Sequence, residues 1–166
     1  MSIELVEALD DGDVEKIQKL ILNGEDIYRI TENDKWTYLH ISLTDLMDKT
    51  PVKSIEFLLE QGLDVNAIDN YGNTPLIYAV RQRNVDGIRL LLENGADKLL
   101  EHENKKAIDA LRTGFDRMPL DHDTFEILLS NGANPDKKNS NGTTARELLN
   151  VIAGVEQNIY ELFENY

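Results

Sequence analysis

The sequence predicts an all-α solenoid of four to five stacked helix-turn-helix units joined by short hairpin-like turns. Three observations carry this. Gly24, Gly62, Gly95 and Gly132 are separated by 38, 33 and 37 residues. The same apolar ladder precedes each: Ile17, Leu20 and Ile21; Ile55, Leu58 and Leu59; Ile88, Leu91 and Leu92; Phe125, Leu128 and Leu129. In the clearest copy, Asp69 to Asp97, a turn and two short helices follow one another, each helix with one apolar face. Two short helices cannot bury those faces alone, so every unit needs neighbours.

The clearest copy explains the others. Asp69-Asn70-Tyr71-Gly72-Asn73 is turn chemistry, with Gly72 free to take a positive φ. Thr74 is placed to cap a helix and Pro75 suits its first turn. Leu76, Ala79 and Val80 share one face, and the polar run 81–84 ends that segment. Val85, Ile88, Leu91 and Leu92 give the second helix its stripe, and Asn94-Gly95 stops it.

Residues 1–166 read as one domain, with approximate units at 2–30, 31–68, 69–102, 103–136 and 137–166, the first and last being caps. In the first, Leu5, Ala8 and Leu9 form one stripe and Asp11-Gly12-Asp13 a helix–helix turn; that triplet lacks the further oxygen ligands of a calcium loop. The second carries Thr37-Tyr38-Leu39-His40, then a connection at 45–51 four residues longer than in the clearest copy. The fourth is degenerate, with 105–111 replacing the helix-start pattern and a connection at 113–121 extended by five. Both long connections occupy equivalent positions, two units apart, which places them on the same side of the stack. The last unit starts a helix at 140–145 and ends in an amphipathic tail with Val155, Ile159, Leu162 and Phe163 inward.

Composition bounds the function. A chain of 166 residues with 41% hydrophobic and 29% charged content suits a folded protein rather than a disordered one. No apolar run reaches membrane-spanning length and the acidic N-terminus does not resemble a secretory signal. Zero cysteines excludes disulfides and thiol-bound metal, in keeping with a reducing cytoplasm. The net charge of −14 disfavours nucleic acid and anionic membrane as partners and favours a basic protein. Residues 1–69 hold most of it, with 16 acidic and 6 basic side chains, whereas residues 70–139 hold 11 and 10.

Nothing in the sequence points to catalysis. No phosphate loop, zinc-protease helix or nucleophile elbow is present, and no spacing selects two of the 31 carboxylates as an acid–base pair. His102 and His122 lie in separate connections; His122, between Asp121 and Asp123, reads as part of a solvated loop. No cofactor or metal is expected.

The pattern G-x-T-P-L-x-x-A…V-x-x-I-x-x-L-L-x-x-G-A-D, carried by Gly72, Thr74, Pro75, Leu76, Ala79, Val85, Ile88, Leu91, Leu92, Gly95, Ala96 and Asp97, resembles the ankyrin repeat. The resemblance implies a structural role for His40 and a non-catalytic protein-protein interaction module. It further implies that one protein partner is gripped by a concave surface of turn tips and first helices. Matching positions are Asn70, Tyr71, Asn73, Arg81 and Gln82 in the third unit and Asn33, Asp34, Trp36, Thr44 and Asp45 in the second. Lys105 and Ser140, Asn141 and Thr143 follow at the later turns. Trp36 has two readings, a binding anchor or packing within its own unit. Charge and length together suggest a monomeric inhibitor or immunity-type protein for a basic enzyme or toxin. An adaptor or effector recruiting a cellular protein, and an enzyme with a carboxylate or His122 site, remain as alternatives. The two long connections are the second candidate surface.

Overall fold

The computed structural model describes residues 1–102, 105–139 and 141–166, with backbone alone for 99–102 and 105–108. Helices come in pairs: α1 (Ile3–Asp10) with α2 (Val14–Leu22), α3 (Tyr38–Ser42) with α4 (Val52–Glu60), and α5 (Pro75–Gln82) with α6 (Val85–Glu93). A hairpin of β1 (Leu99–His102) and β2 (Lys105–Asp109) leads into α7 (Ala110–Thr113), a 3-10 turn (Gly114–Asp116) and α8 (His122–Ser130). α9 (Ala145–Val151) and α10 (Gln157–Glu164) end the chain. The strands pair antiparallel, Leu99 with Asp109 and Leu100 with Ile108.

The pairs stack in two rows, α1–α3–α5–α7 and α2–α4–α6–α8–α10. Leu5, Leu9, Ile17, Leu39, Ile55, Leu58, Leu76, Ile88, Leu91, Leu111, Phe125 and Leu128 are completely buried along this seam. Being central, α5 buries more than one stripe: Ile77 and Gln82 are covered along with Leu76, Ala79 and Val80. The degenerate fourth unit closes on the tail through an aromatic cluster instead. Phe115, Phe125 and Phe163 lie with ring centres 4.8, 5.4 and 6.0 Å apart, at separations where offset and edge contacts add to burial.

Each second helix ends alike. The N–H of Gly62, Gly95 and Gly132 bonds back to Leu59, Leu92 and Leu129, and the next N–H to Leu58, Leu91 and Leu128. Positive φ at the glycine makes the two bonds possible. Turns entering first helices also share a form. Asp69 and Asn139 each accept two main-chain N–H groups on Oδ1, and a glycine three residues later, Gly72 or Gly142, takes φ of 88° or 78°. In the second unit Lys35 stands at that place with φ 60°.

Two expectations need correction. Thr74 makes no side-chain cap bond; Asp69 and Asn73 already organise the turn before it. His122 does not lie in a loop but opens α8, because Asp121 caps that helix by accepting from the Thr124 N–H at 3.0 Å.

Candidate functional site

The turn before α5 closes around Asp69, which is completely buried. Its Oδ1 accepts from the N–H groups of Tyr71 and Asn73, both at 2.8 Å. Its Oδ2 accepts from the Tyr78 hydroxyl at 2.6 Å, the Trp36 indole N–H at 3.1 Å and the Asn73 amide at 3.2 Å. Burial pushes this carboxyl up, but the bonds from Tyr78, Asn73 and Trp36 outweigh it and hold it below its ordinary value. Tyr78 responds the other way. Burial, together with its bond to the Asp69 charge, pushes its phenol up to about 12.

Trp36 is therefore half-buried and engaged: its ring meets Tyr78 edge-on with centres 6.2 Å apart. Of its two readings, packing is the one the geometry supports, and the packing runs between units rather than within one. Asn73 is also inside, at 5% exposure, with its amide spent on Asp69 and Tyr78. Its expected place on an exposed turn tip is not found, because the turn folds that side chain back under Asp69. His40 lies beneath them, completely buried. Its Nδ1 meets the Thr37 N–H at 3.2 Å and its Nε2 the Asn73 carbonyl at 3.3 Å. Burial lowers its pKa despite that carbonyl, favouring the neutral ring.

What stays outside is a short polar row. Tyr71 is 63% exposed and its hydroxyl donates to Asp34 Oδ1 at 2.7 Å, a bond that raises the Tyr71 pKa. The Asn70 N–H donates to the Asp34 carbonyl at 2.8 Å, and the Asn70 amide to the Asn33 carbonyl. Asn33, Asp34, Asn70 and Tyr71 are thus brought together across two successive turns. The side chain of Lys105 lies outside the described residues, as do that of His102 and all of Ser140.

Asp45 and Arg81 belong to the other end of the helices. Asp45 is exposed and turns its own connection by accepting from the Met47 N–H at 2.8 Å. Gln82, read from sequence as a contact position, is buried and clasps that connection. Its amide donates to the carbonyls of Asp45 and Asp48 at 2.8 and 3.0 Å, and its oxygen accepts from the Thr50 N–H at 3.0 Å. Arg81 sits over the Tyr78 ring at 5.7 Å, with Asp116 3.8 Å away. The two long connections meet: Arg117 donates to the Leu46 carbonyl at 3.3 Å, and Arg83 donates to the Arg117 carbonyl at 2.8 Å and to Pro119. Between them opens a cavity of about 380 Å³.

His122, Asp123 and Glu126 could bring one ligand atom each within 4.8 Å of the others. His122 and Asp123 lie in the first turn of α8, where the helix dipole opposes a cation, and Glu126 follows in the second.

Asp69, Tyr78, Arg83 and Arg117 carry the organisation together with Gln82, and those four were not read from sequence as site residues. One signal was available for Asp69: it precedes Gly72 by three, as Asn139 precedes Gly142, marking a side chain that closes the turn. Arg83 and Arg117 carry no local signal, since what joins them is a contact across units.

Comparison with known proteins adds a family. The model for ankyrin repeats (3 copies) matches residues 5–102. Two ankyrin-repeat proteins of Acanthamoeba polyphaga mimivirus are each 29% identical to this chain, over 66% and 91% of it and 43% and 26% of their own length. An ankyrin-repeat protein of Fowlpox virus is 56% identical over 24% of the chain and 8% of its own length. The chain spans less than half the length of these curated relatives.

Proposed function

The chain belongs to the ankyrin-repeat family and is a protein-protein interaction module, and on that premise we propose that it binds one basic protein partner without catalysis, as an inhibitor or immunity-type protein. The observation that carries this reading is the row Asn33–Asp34–Asn70–Tyr71, where an exposed aromatic ring is held in place by a carboxylate. Tyr71 offers a large contact area with few torsions left to freeze, and its bond to Asp34 freezes them before binding. The surrounding half of the chain is the acidic one, with 16 carboxylates against 6 cations in residues 1–69. That imbalance would steer a cationic surface toward the row and weaken with salt.

The family supports the absence of catalysis, and the lack of cysteine supports action in the cytoplasm. Among the described residues no helix is long and apolar enough to cross a membrane. The second reading, an adaptor that recruits a cellular protein, would use the same row.

The test uses the intact chain as bait in lysate of its source at low and high salt. One basic enzyme recovered in near-equal amount, released by salt and lost on Tyr71→Ala with Asp34→Lys, is expected. An acidic or scaffold partner would turn the reading to the adaptor. Capture indifferent to both substitutions would overturn the assignment of the row. Trp36→Ala is unsuitable here, because that ring holds the fold.

A further inference from the structure

We infer that the cavity between the two long connections is a second docking site, which takes a partner segment bearing a large apolar side chain beside a carboxylate. Three units build it: Leu46 from the second, Val80, Arg81 and Arg83 from the third, and Arg117 with Thr113 from the fourth. Its wall is apolar, with Val80 2% exposed, and Leu46 carries that apolar lining out to solvent. Leu46 is 49% exposed, and the neighbouring Met47 and Met118 are 86% and 47% exposed. Exposed Leu46 at the cavity, with exposed Met47 and Met118 next in sequence to the lining residues Leu46 and Arg117, leaves apolar surface that an occupant would cover.

Charge selects the occupant. The protein carries −14, yet three of its seven arginines line this one cavity. Arg83 and Arg117 bond to main-chain carbonyls, which fix the guanidinium groups without cancelling their charge. Among the described residues neither stands in an ion pair. Asp121 is occupied in capping α8. Asp116, which lies 3.8 Å from Arg81, is the other lining carboxylate, so three guanidinium groups face two carboxylates and the balance favours an incoming anion. A small anion would satisfy the arginines and leave Leu46 wet; a peptide segment covers it as well. The geometry therefore favours a macromolecular occupant with paired apolar and acidic residues.

This site is at the C-terminal end of α5, whereas the Asp34–Tyr71 row precedes the N-terminal end, and it prefers the opposite charge. Each can fail without the other. The test is selection of phage-displayed random dodecapeptides on the intact chain, followed by fluorescence anisotropy of the enriched peptides made synthetically. Enriched sequences should place Asp or Glu within two positions of Leu, Met, Phe or Trp. Their Kd should weaken by about tenfold on Arg117→Glu, the loss expected on reversing one interfacial charge. It should also weaken on Leu46→Ala and stay unchanged on Tyr71→Ala. Binders without acidic residues, binders indifferent to Arg117→Glu and Leu46→Ala, or no binders at all would overturn the proposal. Should Arg117→Glu disturb folding by circular dichroism, Arg117→Gln and Leu46→Ala carry the same test.

Discussion

The indole N–H of Trp36 donates to the carboxylate of Asp69 at 3.1 Å, so the turn of one unit is fastened to the turn of the next. Removing the carboxylate strands the Tyr78 hydroxyl and the Asn73 N–H and takes one acceptor from the Tyr71 N–H and from the Trp36 indole, which keeps the Tyr78 oxygen. Asp69→Ala should cost at least about 3 kcal/mol by urea unfolding, given ~1–3 kcal/mol for each stranded buried group. Trp36→Phe removes a single donor and should cost about 1 kcal/mol beyond its packing loss. The double variant should cost less than the sum, because both act on one network.

Stability should respond to pH in three windows. The His40 pKa is depressed in the fold, so the unfolded chain takes up the proton first as acid is added. Its contribution is intact above 6.5 and is lost as pH falls below that value. Asp69 is also depressed, so its contribution is present above 3.8 and lost further down. Tyr78 is raised to about 12, so its contribution is intact below 10.0 and lost as pH climbs from there to about 12. Thermal melts across pH would trace all three. In His40→Gln the slope just below 6.5 should vanish while the one below 3.8 persists.

Lys35→Gly should stabilise the protein. Lys35 holds φ at 60° where its counterparts are Gly72 and Gly142. A side chain in that region costs roughly 1–2 kcal/mol, partly offset by the greater freedom of unfolded glycine, so a net gain of up to about 1 kcal/mol is expected. A lower urea midpoint would contradict this.

Gly114→Ala should do the reverse, although alanine is usually the more stable choice. A Cβ at 114 would sit 2.7 Å from Cε1 of Phe125, a completely buried ring in the aromatic cluster. Overpacking of this kind costs about 1–3 kcal/mol. Calorimetry of the variant would check it.

The repeat architecture was legible in the sequence because local rules determine it. Gly62, Gly95 and Gly132 end helices by the same pair of bonds, and the ladders before them supply buried residues at every rung but Leu59 and Leu92, which are half-buried. The surface was only half legible. Tyr71 and Asp34 were correctly placed on turns, yet their mutual bond was not foreseeable, since the two are 37 residues apart. Trp36 and Asn73 share the same turn positions and fold inward. Their direction depends on Asp69, a buried carboxylate whose role only long-range contacts disclose. Gln82 followed the same course: polar and near a helix end, it resembled a contact residue, but the long connection wraps over it.

The third unit is held at both ends. Trp36 and Asp34 grip it where α5 begins, while Gln82 and Arg83 lock it to both long connections where α5 stops. Under a pulling force on the termini, these bonds predict that this segment yields last, an order that single-molecule force spectroscopy would read. An array of this kind flexes at its extremities around a stiff waist, and a partner seated near α5 would meet a surface whose shape is unchanged by strain elsewhere.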